Sequence, residues 1–522
     1  MVEVRASCSL AELLCALSFA TDMSMGQLME HGLKTGYIGL QIADTLHLPE
    51  EDRQGIFYGS LLKDAGCTAC ATAFSTFFAG DDLGARSDFI LLDHDSMKDA
   101  VAWFWRHAPQ DVSIAGRIAN VFSFLTECRG VMKDSMTSHC EVGEMFTRRL
   151  GLPEPVQATV RFAWERWDGK GMAYGLKGSH IPIAARVLHL AQAVECAHWA
   201  GGAAAARAVA RERQGKDFDP ELVSAFFQSS VHGGFWQVLE QETAQETILQ
   251  MKPSAHFDRI TDDQLEGVCE VLADFADVKS RSTWNHSLTV ADVAVKTARH
   301  MGLGQAQLTK LRLSALVHDL GKAAVPVRVL DKGEGLTGDE WERFQLHPYY
   351  TERVLSRVGP LADLAPEAAS HHEWVNGEGY HRGLQGGQIP LGGRILAVAD
   401  RFVTLSKTEG DAAEPENVLK EMRQHIGKQL DVECYEALSG SFTGSTRPKR
   451  MRGQDPRSGH LSDQEVEALQ LVATGMTNRD VAKQLVISDK TVEHHLDHIY
   501  NKLGVSSRTS AVVFAVHQGI VT

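Results

Sequence analysis

Seven imidazole and carboxylate groups are spread between positions 286 and 400: His286, His318 beside Asp319, His347, His371 beside His372, and Asp400. Groups so far apart in the chain serve one site only if several elements converge, so this stretch demands a packed bundle rather than a local loop motif. Imidazole with carboxylate and no thiolate suits iron, manganese or zinc held for chemistry better than a structural zinc site, which usually draws on cysteine. An adjacent His-Asp pair can serve two cations, because one carboxylate has two oxygens and can bridge. Two bridged cations can lower the pKa of a water and direct it at phosphorus. Any one of these histidines alone reads as an ordinary core or surface residue; seven in this order do not.

The pattern occurs twice. His31 precedes Lys63-Asp64-Ala65-Gly66 by the same 32 residues that separate His286 from His318-Asp319-Leu320-Gly321, an offset of 255. A second block aligns at an offset of 208, pairing His139 with His347, Ala163 and Trp164 with His371 and His372, and Asp168-Gly169 with Asn376-Gly377. It continues with Ile181-Pro182 on Ile389-Pro390, Arg186 on Arg394, and Gln192 on Asp400. The first copy therefore carries 47 extra residues between Asp64 and His139. Of the seven positions it keeps His31, Asp64 and His139. Lys63 puts a fixed cation where a metal ion would sit, so the first copy is expected to be metal-free. Its loop from Glu165 to Gly171 still admits a ligand; alternatively the copy serves only packing or dimerisation. The extra segment reads as helices, with aromatic residues at 74–78, 99–105 and 118–125. These are most simply core, and as a second option the lining of a cavity for a planar effector.

At 522 residues the chain exceeds one core, and three domains are expected. Few runs alternate β-branched residues between hairpin turns, whereas Val290, Val293, Ala294, Thr297 and Ala298 recur at three and four. The expected fold class is all-α: two similar helical domains in tandem plus a small C-terminal one. A net charge of −15 excludes a polyanion-binding surface over the whole molecule, so any nucleic-acid contact must be local. Nine scattered cysteines lack the spacing of a disulfide framework and point to a reducing cytoplasm. Cys67 and Cys70 form a lone CxxC that reads as buried thiols. The apolar run from Leu10 to Ala20 after Arg5 imitates a signal peptide, but Glu12 interrupts it and an amphipathic helix is expected. No segment has the length and apolarity of a membrane span, so no membrane partner is expected.

The run His318-Asp319-Leu320-Gly321-Lys322, the pair His371-His372 before Glu373, Gly377-Glu378-Gly379-Tyr380, Ile389-Pro390-Leu391 and Arg394 to Asp400 resemble the HD-GYP family of metal-dependent phosphohydrolases over roughly residues 280–408. The best-known substrate of that family is cyclic di-GMP. The resemblance implies two divalent metal ions, iron or manganese first and zinc as an option. One would be held by His286, His318 and Asp400 and the other by His347, His371 and His372. Asp319 would bridge them, and Lys322 would face a phosphate oxygen. Gly377, Gly379, Tyr380 and Arg394 fall where the family shapes its nucleotide pocket. Departures fall there too: the Gly-Tyr-Pro signature reads Gly379-Tyr380-His381, the usual Asp-Gly reads Asn376-Gly377, and Asp-Ala-Leu after the last ligand reads Val403-Thr404-Leu405. The glutamate that some members use for a third metal is Ser282, so two metals are expected.

After Leu438 the composition shifts to glycine, serine, proline and basic residues, among them Arg447, Lys449, Arg450, Arg452 and Arg457, which reads as a mobile linker. Ser462 and Glu465 then form a capping box. Two helices joined by a short turn follow, the second opening after Ser488, with Val492, Leu496, Ile499 and Leu503 on one face: the form of a helix-turn-helix. The block resembles the DNA-binding domain of the LuxR family. By that resemblance Val481 and Leu485 are core, and Lys490, Thr491, His494 and His495 face the major groove. Thr477, Asn478, Lys502 and Arg508 would touch phosphate or brace the helices. From 461 to 522 five Lys or Arg stand against seven Asp or Glu, whereas phosphate contact needs positive charge. The linker arginines are expected to supply part of the affinity, and a homodimer to span two half-sites.

The expected domains are 1–252 with a helical insertion near 70–135, 253–440, a basic linker at 441–459, and 460–522. The expected function is a cytoplasmic DNA-binding regulator. Its tandem region binds, and in the enzyme version hydrolyses, a cyclic dinucleotide or another phosphorylated small molecule. A catalytically silent sensor and a hydrolase for another phosphate ester are the alternatives.

Overall fold

The computed structural model describes residues 8–72, 75, 82–92, 95–107, 114–333, 335–408, 414–442, 461–518 and 520. The aromatic run at 74–78 apart from Ser75, the side chains at 118–125 and the basic stretch from Arg447 to Arg457 lie outside them. Apolar residues recurring at helical spacing, with breaks at glycine, proline and short polar caps, make the described chain almost wholly helical. Its one sheet is a two-residue antiparallel ladder of β1 (Cys8–Ser9) and β2 (Arg259–Ile260), with Cys8 opposite Ile260. The chain divides into two compact units, Met1–Phe275 with Leu320–Asp363, and Ala276–Asp319 with Leu364–Thr522.

In the first unit α1 (Leu10–Ser24) is buried on nearly every face, so the apolar run that imitates a signal peptide is core. It packs against α2 (His31–Thr45) and α3 (Glu50–Leu62), and α4 (Asp82–Phe89), α5 (Met97–His107), α6 (Ile114–Arg149), α7 (Glu154–Phe162) and α8 (Ile183–Glu212) follow in the chain. The last is interrupted at Gly201 and Gly202, which leave helical geometry. Of the insertion's aromatic residues, Trp103 and Phe104 are buried, and Trp103 Nε1 donates to Ala85 O at 3.1 Å. A last long helix, α9 (Asp262–Asp277), ends two residues inside the second unit.

The second unit packs α10 (His286–His300) against α11 (Gln305–Val317), α12 (Leu391–Thr408) and α13 (Val432–Phe442). The buried stripe of α10 includes Val290, Val293, Ala294, Thr297 and Ala298. Each valine in it contributes about 1.5–3 kcal/mol by leaving water. Four C-terminal helices follow: α14 (Asp463–Ala473), α15 (Asn478–Leu485), α16 (Asp489–Leu503) and α17 (Arg508–His517). They share a core containing Leu469, Val481, Val492, Leu496, Ile499 and Ala511, with Leu485 and Leu503 half-buried at its edge.

The backbone repeats along with the sequence. The residue before each leading histidine is left-handed, Glu30 at φ 78° and Asn285 at φ 53°. A buried aspartate nine residues earlier holds the first turn of the next helix: Asp22 Oδ1 accepts Gly32 N–H at 3.1 Å, and Asp277 Oδ2 accepts Ser287 N–H at 2.8 Å. Gly66 and Gly321 each let the backbone of a later histidine pass close by. A Cβ there would lie 1.9 Å from His139 O and 2.0 Å from His347 O respectively.

Candidate functional site

The candidate ligands stand where helices begin or end. His286 opens α10, and its first turn is fixed from below: both oxygens of Asp277 are occupied by Ser287, one by the N–H and one by the hydroxyl, each at 2.8 Å. His318 caps the C-terminus of α11 and Asp319 follows it. His371 and His372 follow the short helix Ala365–Ala368, and Asp400 projects from α12.

These elements bring five of the side chains together within the second unit. His286 Nε2 lies 2.9 Å from Asp400 Oδ1 and 3.4 Å from Asp319 Oδ2. His318 Nε2 lies 3.2 Å from the same Asp319 oxygen, and His371 Nε2 lies 3.5 Å from the other one, Asp319 Oδ1. Asp319 therefore turns one oxygen to His286 and His318 and the other to His371, the geometry a bridging carboxylate needs. His372 is half-buried, its ring 4.2 Å from that of His371 and 4.8 Å from that of Tyr380. Burial alone would raise the Asp400 carboxyl, but the hydrogen bond from His286 and the imidazoles of His286, His372 and His318 hold it well below the usual carboxylate range. Burial, with the charges of Asp400 and Asp319, pushes the Tyr380 phenol well up, so it stays protonated.

Two of these imidazoles are oriented by carbonyls left over at helix ends. His318 Nδ1 and His371 Nδ1 lie 2.7 Å from Ala315 O and Ala368 O. An Nδ1–H committed to a carbonyl leaves Nε2 as the lone-pair nitrogen, which is how metal-binding histidines are usually held. The donors His286, His318 and Asp400, and again His318, Asp319 and His371, lie within 4.8 Å of one another. A buried set of imidazoles and carboxylates at this spacing fits divalent cations of intermediate softness.

His347 and Lys322 belong to the first unit. His347 heads the helix His347–Leu355 with its Nδ1 2.7 Å from Phe344 O, the same locking as in the second unit. Lys322 lies buried in the turn Leu320–Ala324. The loop bearing Gly377, Gly379 and Tyr380 is tied by Glu373, whose two oxygens accept Arg382 N–H and Leu384 N–H at 2.7 Å each. The Arg394 guanidinium donates to Asp431 at 2.8 Å, and Arg186 does the same to Asp219 in the first copy, so here Arg394 braces the fold.

In the first copy Lys63 stands at the position of His318, and His31, Glu195 and Cys196 offer donor atoms within 4.8 Å of one another. Lys63 Nζ is ion-paired to Asp64 and stands 3.3 Å from His31 Nε2, while His31 Nδ1 donates to Glu195 at 2.5 Å. His139 Nε2 lies 2.8 Å from Lys63 O and 3.7 Å from Asp64 Oδ1. The ammonium sits among the retained imidazoles and carboxylate as a fixed positive charge. Sequence reading missed Asp277 as the residue holding the His286 turn; subtracting 255 reaches Asp22, so the repeat itself carried the signal.

In the C-terminal helices the Ser462–Glu465 capping box forms, with Ser462 N–H donating to Glu465 Oε2 at 2.7 Å. Three residues separate α15 from α16, and α16 exposes Lys490 and His494, with Thr491 and His495 half-exposed. Thr477 caps α15. Lys502 is engaged by Glu465 at 2.6 and 2.8 Å. Arg508 donates to Asn478 Oδ1 at 2.8 Å and to Met476 O, bracing α17 to the start of α15.

The HD domain family matches residues 270–434, and the family described as bacterial regulatory proteins, luxR family, matches residues 459–515. The 3'3'-cGAMP-specific phosphodiesterase 3 of Vibrio cholerae is 31% identical over 431 residues, covering 82% of this chain and 94% of that protein. A cyclic di-GMP phosphodiesterase of Thermotoga maritima is 34% identical over 181 residues, 34% of this chain and 49% of its own length. A crystal structure of a cyclic GMP-AMP specific phosphodiesterase of V. cholerae superposes with a TM-score of 0.59 at 27% identity, covering 84% of this chain and 99% of that one. Among the described residues no helix is long and apolar enough to cross a membrane. The chain belongs to the metal-dependent HD-domain phosphohydrolases of the HD-GYP type, and it carries a LuxR-family regulatory domain downstream of that domain.

Proposed function

We propose that this protein is a DNA-binding regulator whose later HD-GYP-like copy binds and hydrolyses a cyclic purine dinucleotide at a two-metal site. The observation that carries the reading is the buried convergence of His286, His318, Asp319, His371 and Asp400 in a chain related to enzymes named for cGAMP and cyclic di-GMP. His286, His318 and Asp400 would hold one cation and His347, His371 and His372 the other, with Asp319 between them; iron or manganese suits the set first, zinc second. Two cations there would supply an activated water and neutralise charge gathering on phosphate oxygens. The chain's own residues do the rest. The committed Nδ1 atoms keep Nε2 aimed inward, Lys322 would pair with a phosphate oxygen, and the loop tied by Glu373 would position the nucleotide through Gly377, Gly379 and Tyr380.

Downstream, Lys490, Thr491, His494 and His495 would read base edges in a homodimer on two half-sites. Ligand occupancy would regulate DNA binding by favouring one of two dimer states, which requires different affinities for the two. Domain limits near 252, 440 and 459 suit this division of labour. The test is metal content and turnover of cyclic di-GMP and 3'3'-cGAMP by the purified chain beside Asp319→Ala. Strong loss of metal and product in the variant is expected; equal product from both proteins removes the enzyme reading. A silent ligand sensor is the second reading, favoured by Asn376, His381 and Val403 at the nucleotide loop and beyond the last ligand.

A further inference from the structure

The C-terminal helices have a charge problem that the structure addresses from outside them. Residues 461–522 carry five Lys or Arg against seven Asp or Glu, and Glu465 already engages Lys502. Yet duplex DNA is held chiefly through its phosphates. Within the second unit, the turn Arg281–Thr283 just ahead of α10 meets the turn Thr474–Gly475–Met476 just ahead of α15. Arg281 Nη1 donates to Thr474 O at 3.2 Å, and it lies so close over Gly475 that a Cβ there would be 1.8 Å from it. Gly475 has φ +87°, so glycine is required twice over, by conformation and by this approach.

Neighbouring side chains seat the segment. Trp284 packs against the core of the C-terminal helices, and Asn285 Nδ2 donates to Val516 O at 3.4 Å. Lys407 Nζ donates to the Trp284 carbonyl at 2.6 Å.

Arg281 is exposed, and among the described residues its polar partner is a carbonyl rather than a carboxylate. Arg508 likewise donates to Asn478 Oδ1 and Met476 O, neither of them an acid. The two guanidiniums are near enough that the charge on Arg281 adds to burial in lowering the proton affinity of Arg508. Two like charges at one turn, paired to neutral oxygens, define a place for an anion, and guanidinium is the group best shaped to take phosphate oxygens.

We infer that Arg281, which lies outside the LuxR-type domain, is a DNA-binding residue: together with Arg508 it takes a backbone phosphate beside the start of α15. This rests on the regulator reading and deepens it. It also puts a phosphate-binding group and the first candidate metal ligand on one short segment, Arg281 to His286.

The test uses the full chain and a short duplex of arbitrary sequence, so no operator need be known. Affinity is measured between about 50 and about 200 mM salt for the wild type, Arg281→Ala, Arg281→Lys and the exposed control Arg259→Ala. Removing one phosphate interaction should lower the slope of log affinity against log salt by about 0.9 and weaken binding roughly threefold or more at the low-salt end. The expected result is that decrease in Arg281→Ala, retention of the slope in Arg281→Lys, and no change in Arg259→Ala. An unchanged slope in Arg281→Ala overturns the inference, as does an equal decrease in Arg259→Ala. Failure of the wild type to bind any duplex is a different outcome and removes the regulator reading itself.

Discussion

Replacing Lys63 by methionine tests what occupies the metal position of the first copy. Methionine has a similar reach without the charge, so the substitution removes an ammonium that is 1% exposed and paired to an Asp64 that is 3% exposed. What remains near the carboxylate is His139 Nε2 at 3.7 Å, which also faces Lys63 O, and the imidazole of His31. Breaking one partner of a buried ion pair costs about 3–5 kcal/mol because the other charge is stranded. For a region of this size each kcal/mol moves the melting temperature by about 2–4 °C, so the drop should be roughly 6–20 °C.

Neutralising both partners, Lys63→Met with Asp64→Asn, should recover most of that loss, since removing a whole buried pair is often close to neutral. A chain of several domains does not unfold in one step, so the observable must be local. Trp164 serves, its ring 5.6 Å from that of His139, and its fluorescence should follow the transition that moves. If the single variant melts with the wild type, or the double variant melts no higher than the single, the ion pair is not what holds this site and the reasoning fails.

Three further outcomes are expected. Gly321→Ala would put a Cβ 2.0 Å from His347 O and Gly66→Ala one 1.9 Å from His139 O. Each should cost about 3 kcal/mol or more by overpacking, but only Gly321→Ala should lower the metal content read by elemental analysis. His494→Ala should weaken binding to sequences selected from a random pool by about 1–3 kcal/mol and leave arbitrary duplex binding unchanged in a competition assay. Burial would raise the Asp258 carboxyl, but hydrogen bonds from Lys252, Ala11 N–H and Ser9 hold it below 3.8. A depressed folded-state value stabilises above 3.8 and that contribution is lost as pH falls further. Asp258→Asn should therefore melt lower than the wild type at neutral pH, and the two curves should converge in acid.

Much of the architecture is legible along the chain because its signals are local or repeated. The helical class follows from apolar spacing, the C-terminal caps from Ser462 and Ser488, and the altered ligand set of the first copy from comparing Lys63 with His318 inside one chain. The candidate ligands are readable because imidazoles and carboxylates are rare enough in this order to identify one another. What periodicity cannot supply is partnership. Resemblance puts Arg394 at the nucleotide pocket, and the folded chain gives it Asp431; resemblance leaves Lys502 to touch phosphate or brace the helices, and the folded chain pairs it with Glu465.

The amino-acid order alone determined which groups this protein can use: a metal-capable set in the later copy, a lysine in its place in the earlier one, and a helix-turn-helix downstream. Tertiary structure decided which oxygen of Asp319 faces which histidine, that Asp277 secures the first turn of α10, and that Arg281 lies against Gly475. The physical reason is range. Helix spacing and capping act over a few residues and are written along the chain, whereas a hydrogen bond or ion pair between residues ten or two hundred apart exists only once packing has brought them within about 3 Å.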